Sequence, residues 1–207
     1  MRFLLNVLLS IPAILIAFSV KEYTRAKMAD KLGDKAPRFR GELTLDPLKH
    51  IDIMGALMMA LIGFGWTKSV NINKYAFKNP KKDAIRVNAM AWFSNLGVAV
   101  LGAILFALWI KFFGIMGTTS EILVSILRYI IILNVNLFVF NILPLPGLDC
   151  FRILEDANPK AFYKFSETIY KYYTVILIAI IFLGSSILSI PSNFIMGILQ
   201  SLINGIL

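Results

Sequence analysis

Phe3-Leu4-Leu5-Asn6-Val7-Leu8-Leu9-Ser10-Ile11-Pro12-Ala13-Ile14-Leu15-Ile16-Ala17-Phe18-Ser19-Val20 is an uncharged run that passes without a turn signal into Lys21-Glu22-Tyr23-Thr24-Arg25-Ala26-Lys27-Met28-Ala29-Asp30-Lys31-Leu32-Gly33-Asp34. The first stretch is just long enough to span a bilayer as a helix. Pro12 is expected to kink it or loosen its hydrogen bonding. No small-residue cleavage site follows, so the run reads as an uncleaved membrane segment. Charge therefore begins where a membrane helix emerges into polar surroundings. Lys21 and Arg25 are four apart and share a helical face, with Glu22 on an adjoining one.

Composition agrees with a membrane chain. Of 207 residues, 58% are hydrophobic and only 16% charged, and the mean hydropathy is +0.75. A soluble globule of this size rarely approaches such values, which indicates a polytopic membrane protein. The formal charge of +9 reads as loop charge on one membrane side. Basic residues are not interleaved with an aromatic platform, so nucleic-acid binding is not expected. One cysteine, Cys150, excludes an internal disulfide framework and any cysteine-based metal cluster.

Further along, 21–50 is polar, and Arg38–Leu45 alternates in a way that suits a short strand pair near the interface, ended by Asp46-Pro47. Ile53–Trp66 is apolar but too short to cross, and reads as re-entrant or interfacial. Six basic residues then crowd 67–87, a loop with a turn at Asn79-Pro80. Membrane helices are expected at 88–110 and 122–143, with Arg128 near the start of the second snorkelling to the interface. Pro144 and Pro146 end regular helix. From Tyr173 onward there is no charge, and Pro191-Ser192-Asn193 divides this region into a spanning helix and a tail that returns or lies in the interface. The expected fold is all-α and polytopic: one membrane domain over 1–207, about four to six membrane helices, and an interfacial β-like or re-entrant region at about 36–66.

The frame Lys21-Glu22-Tyr23-Thr24-Arg25 has the spacing of H-E-x-x-H, in which two imidazoles at i and i+4 hold zinc and the glutamate activates water. Here both imidazole positions are cations, and neither offers a free lone pair near neutral pH. A second informative stretch is Asn141-Ile142-Leu143-Pro144-Leu145-Pro146-Gly147-Leu148-Asp149-Cys150-Phe151-Arg152. An aspartate just after a proline-broken membrane helix needs a cationic partner or a metal, unless it simply caps the following helix.

Taken together these stretches resemble the site-2 protease family of intramembrane zinc metalloproteases, in its short bacterial form. That family pairs H-E-x-x-H-A-x-x-A-x-x-L-G-D with N-x-x-P-x-P-x-L-D-G-G-R, and carries G-x-x-T-x-N-P-x-x-H-x-D, F-G-W-A-K-P-V-x-V-N and A-G-P-x-x-N between them. This chain offers Gly41–Asp52, Phe64–Asn73 and Met90–Asn95 in the same order, so the likeness runs from about residue 20 to 152.

What the resemblance implies falls on the chemistry. Lys21 and Arg25 stand at the two zinc-histidine positions and Asp149 at the third ligand position. Glu22 keeps the general-base position, and Asn95 and Asn141 keep motif positions. The glycines after the aspartate have become Cys150 and Phe151, and the Gly-Pro of the central motif is Ala91-Trp92; the two aromatics are expected to fill space that substrate and metal use in the family. No zinc or other cofactor is expected. The four charges Lys21, Arg25, Glu22 and Asp149 balance without metal and form a candidate ion-pair cluster, although all four could instead face water or headgroups. Arg25 can bind a carboxylate with its planar fork, whereas Lys21 could reach Asp149 or snorkel to phosphates. His50, the single histidine, reads as a hydrogen-bonded interfacial residue rather than a lone metal ligand. Cys150 reads as a packed small residue, since no histidine adjoins it.

Topology follows from the same residues. If Asp149 lies near Lys21, an even number of crossings separates them, so 88–110 and 122–143 cross and Ile53–Trp66 does not. The three basic segments 21–50, 67–87 and 144–172 then share one side, the cytoplasmic one by the positive-inside rule. The expected function is that of a catalytically inactive membrane protein of this type in a bacterial cell membrane, with lipids and a membrane-protein client or peptide as partners. The competing expectation is an active intramembrane protease with a non-standard site.

Overall fold

The computed structural model describes the backbone of residues 2–207 and their side chains except those of residues 2, 3, 177 and 181–186. Seven α-helices follow in order: α1 (Arg2–Leu32), α2 (Ala36–Phe39), α3 (Ile53–Ile62), α4 (Pro80–Phe113), α5 (Gly117–Phe140), α6 (Asp149–Ala157) and α7 (Pro159–Ile206). Among the described residues, four segments are long and apolar enough to cross a membrane: Leu4–Leu32, Pro80–Phe113, Gly117–Phe140 and Ile187–Ile206. The chain is an all-α polytopic membrane protein with, among the described residues, the lower of the expected helix counts.

α1 does not stop where charge begins. Its inner face descends in steps of four through Ala13, Ala17, Lys21, Arg25 and Ala29, all at most 1% exposed, so the helix carries the charged motif inward along one stripe. α4 starts at Pro80, where a missing N–H costs nothing. Its buried stripe is Val87, Ala91, Asn95, Ala99, Ala103 and Ala107, mostly small side chains that let α1 and α5 approach closely. Only Gly114–Met116 separates α4 from α5, so α5 begins and ends earlier than the apolar run implied. Asn141 caps its C-terminus, and Asp149 opens α6.

Two expectations change. Arg38–Leu45 forms no strand pair: Pro37 starts the single-turn α2, Asp34 accepts from Ala36 N at 3.0 Å, and Arg38 folds back on Asp30 with paired contacts of 3.0 and 2.7 Å. These local bonds outcompete an extended ladder. The break expected at Pro191-Ser192-Asn193 is also absent. α7 continues through Pro191, as membrane helices can when neighbouring elements hold the weakened turn. Part of the spanning helix expected from Tyr173, namely the side chains at 177 and 181–186, lies outside the described residues.

α3 has ten residues, about 15 Å at 1.5 Å per residue, too short to cross. Asp52 caps its start through Gly55 N at 2.8 Å. Gly55 and Gly65 meet backbone to backbone: a Cβ on Gly55 would collide with Trp66 O, and one on Gly65 with Gly55 O. That contact folds the extended segment after Gly63 back along α3 and delivers Thr67–Val70 to the charged stripe of α1. Lys111 Nζ donates to Ile206 O, placing the ends of α4 and α7 together at the far end of the bundle. Lys21, α6 and the start of α7 occupy the other end.

Candidate functional site: a buried four-charge cluster

Lys21, Glu22, Arg25 and Asp149 are at most 1% exposed and touch one another. Lys21 Nζ is 3.1 Å from Asp149 Oδ2 and 3.8 Å from Glu22 Oε1. Its hydrogen bond goes to Asn141 Oδ1 at 2.9 Å, and Asp149 Oδ2 accepts none, so that contact is an ion pair rather than a directed bond. Arg25 spreads its fork over three elements: Nε donates to Glu22 Oε2 at 2.9 Å, one terminal nitrogen to Asn88 and the other to Asp149 Oδ1. Two cations meet two carboxylates, so the cluster is neutral in a place where an unpaired charge would cost several kcal/mol.

Glu22 is held from the opposite side as well. Oε1 accepts from Thr67 Oγ1 at 2.6 Å and from Ser69 at the margin, 3.5 Å; Oε2 accepts from Val70 N at 2.9 Å. The loop hydroxyls stand where the resembled family has alanine and proline, neither of which has a side-chain donor. Both Glu22 oxygens are therefore already engaged by donors.

Asn141 acts as the joint of the α5–α6 turn. Its Oδ1 accepts from Asp149 N at 3.3 Å, its carbonyl from Cys150 N at 3.1 Å, and its amide donates to Leu137 O at 2.7 Å. Asn95 is elsewhere, two turns deeper on α4, bonded to Ala17 O at 3.1 Å and Asn134 Oδ1 at 2.9 Å. It joins α1, α4 and α5 but does not touch the cluster. His50 is fully buried; Nε2 donates to Thr44 O at 2.8 Å, closing the loop before α3. Burial, and then the neighbouring Asp149, push the Cys150 thiol up from its ordinary range, the reverse of what a nucleophile needs.

The two aromatics do not fill the space beside the cluster. Trp92 turns to α5, donating to Phe138 O at 2.8 Å and stacking on Phe138 with centroids 5.2 Å apart. Phe151 packs edge-on against Phe162 and Tyr170 of α7 at 4.7 and 5.9 Å. A cavity of about 370 Å³ therefore remains, with Thr67, Ser69 and Arg152 at its polar end and Phe140, Ile180 and Leu188 along its apolar wall.

Sequence reasoning missed Asn88, Thr67 and Ser69. Asn88 lies seven positions before Asn95, two turns along an apolar helix, and that recurrence of a polar side chain was the available signal. The two hydroxyls sit inside the Phe64–Asn73 motif, and their acquired donors mark them.

The residues present do not fit a zinc ion. Each carboxylate is already taken by cations, the two helix positions offer no lone pair, and a metal would raise a neutral buried cluster to a charge of +2. Among the described residues, no three His, Cys, Asp or Glu side chains could surround a metal.

The model of Peptidase family M50 matches residues 3–184. The chain belongs to this family. A relative, the "Putative zinc metalloprotease YwhC" of Bacillus subtilis (strain 168), is 35% identical over 147 residues, which cover 70% of this chain and 67% of that one. No solved structure matches the chain. The M50 membership makes this an integral membrane protein of site-2 protease type.

Proposed function

We propose that this M50 protein is catalytically inactive and uses the family's membrane architecture to bind a membrane client, a transmembrane segment or peptide, without cutting it. The observation that carries the reading is Glu22 bonded by Arg25, Thr67 and Val70 N while Arg25 and Lys21 occupy Asp149. Every group that would hold metal or move a proton is committed to a neighbour. The cavity beside Thr67, apolar along one wall and polar at one end, supports the binding half of the proposal. The basic end of the bundle, holding Lys21–His50 and Thr67–Val87, is assigned to the cytoplasm of a bacterial cell membrane.

The test is elemental analysis of purified protein, with cleavage of co-reconstituted transmembrane peptides assayed with and without chelator. The expected result is no stoichiometric zinc and no chelator-sensitive cleavage; one tightly held equivalent, or such cleavage, overturns inactivity. A photoreactive residue at Leu145, in the cavity wall, should crosslink a transmembrane segment. Labelling of lipid alone overturns client binding.

A further inference from the structure

Arg128 lies on α5, eleven residues after Gly117, or about 16 Å along a helix of about 36 Å. It faces outward, so no protein interior shields it. The turn before α5 does not project into water either: Phe112, Phe113, Ile115 and Met116 are all strongly exposed apolar side chains, the composition of a turn at the membrane boundary. Glu121, exposed and seven residues before Arg128, marks the charged entry of α5, so Arg128 is rooted about 10 Å inside that entry. No carboxylate lies within 4 Å of it among the described residues. Its recorded contact is with the Phe106 ring, 5.5 Å from guanidinium carbon to centroid, which offsets only part of the cost of such a charge.

The space around Arg128 is shaped. A groove of about 260 Å³ runs between α4, α5 and the last turns of α7. Arg128 and Gln200 are its polar members, and Phe106, Ile131, Met196 and Leu199 are among its apolar walls. Side chains on a helix lean toward its N-terminus, which for α5 is the far end of the bundle, where Lys111 also stands. A side chain rooted there and leaning this way carries its guanidinium toward the headgroups of the leaflet opposite the charged cluster.

We infer that the Arg128–Gln200 groove is a binding site for an anionic phospholipid of that leaflet, its phosphodiester on the Arg128 guanidinium and one acyl chain along Ile131, Met196 and Leu199. A phosphate matches the planar fork bidentately, an anionic headgroup adds no cation beside the guanidinium as phosphatidylcholine would, and the apolar walls match a chain. An acidic residue of a partner's transmembrane helix is the other anion that could meet Arg128. The groove's position at the end of α7, together with the outward lean of the side chain, favours the headgroup.

The test uses the full chain in vesicles doped with phosphatidylglycerol or phosphatidylcholine bearing a photoreactive acyl chain, with labelled peptides mapped by mass spectrometry. The expected result is labelling at 194–203 at least tenfold stronger with phosphatidylglycerol. That preference should be lost in Arg128→Gln and largely kept in Arg128→Lys. Equal labelling by both headgroups in the unaltered chain overturns the site, and this comparison needs no variant to fold. Phosphatidylglycerol preference unchanged in a folded Arg128→Gln protein also overturns it. So does capture of a partner protein at this groove in place of lipid.

Discussion

Lys21 Nζ stands 3.1 Å from Asp149 Oδ2, with both side chains essentially out of solvent. This contact joins the charged turn of α1 to the first residue of α6 and, with Arg25 on the other carboxylate oxygen, fixes how α5 turns into α6. Each of the four charges is answered by a neighbour, so the constellation fastens α1, α4 and α6 together.

Removing one member should therefore loosen the fold. Asp149→Asn leaves Lys21 and Arg25 with one carboxylate between them, and breaking a buried pair on one side typically costs about 3–5 kcal/mol. Arg25→Leu combined with Asp149→Leu leaves Lys21 opposite Glu22, balanced again, and should recover much of the loss. The measurement is thermal unfolding in detergent; an unchanged midpoint for Asp149→Asn would contradict the fastening role.

The Glu22 lock has its own signature. Thr67→Val keeps shape but removes the 2.6 Å donor, leaving a buried oxygen less satisfied at a cost of about 1–3 kcal/mol. Ser69→Ala, whose contact is 3.5 Å, should be close to neutral. Comparable losses in the same unfolding assay would show that the loop is held by something other than Thr67.

How much of this was legible depended on the scale of the signal. The apolar runs, the shortness of the helix within Ile53–Trp66 and the charge stripe of α1 were readable because helix period and membrane thickness leave few choices. The α2 turn was not, because alternation over Arg38–Leu45 mimics a strand while the deciding bonds come from Asp30 and Asp34. Nor could spacing place Trp92 and Phe151, whose directions are set by the Phe138 carbonyl and by α7. The Asn88–Asn95 recurrence marks a polar stripe on α4, but it does not say that Asn88 meets Arg25, 63 positions away.

Cys150 gives a pH test. Its thiol is held above the ordinary value by burial first and Asp149 second, so the thiolate fraction at pH 8 is below that of a free cysteine. Alkylation there should be several-fold slower than for glutathione, and the rate should keep rising above pH 9 rather than level off. For stability the sign is that of an acid whose folded pKa is raised: the folded state holds the proton more tightly, so this group favours folding less as pH rises through the thiol range. A fast reaction saturating below pH 8 would reveal an activated thiol instead.

Sidedness can be read by labelling. Single cysteines placed in Lys31–Lys35 and in Lys78–Lys82, in a Cys150→Ser background, should react with an impermeant maleimide from the same face of the membrane, because α3 is too short to cross. Reaction from opposite faces would mean that the short helix and the segment after it traverse the bilayer.

The contact between Gly55 and Gly65 should be the least forgiving place in the loop. A methyl group on Gly55 would run into the backbone of Trp66, and one on Gly65 into the carbonyl of Gly55. Backbone cannot step aside as a flexible side chain can. Gly55→Ala or Gly65→Ala must therefore separate α3 from the segment that carries Thr67 and Val70 to Glu22. Each should cost about 1–3 kcal/mol, the range for overpacked interiors, and more if Glu22 is left short of donors. Gly97→Ala is the control, since a Cβ there meets nothing within 4 Å and alanine is the better helix former. If the Gly55 and Gly65 variants unfold at the same temperature as Gly97→Ala, the segment after Gly63 is not pinned to α3, and the route by which the loop reaches Glu22 is a different one.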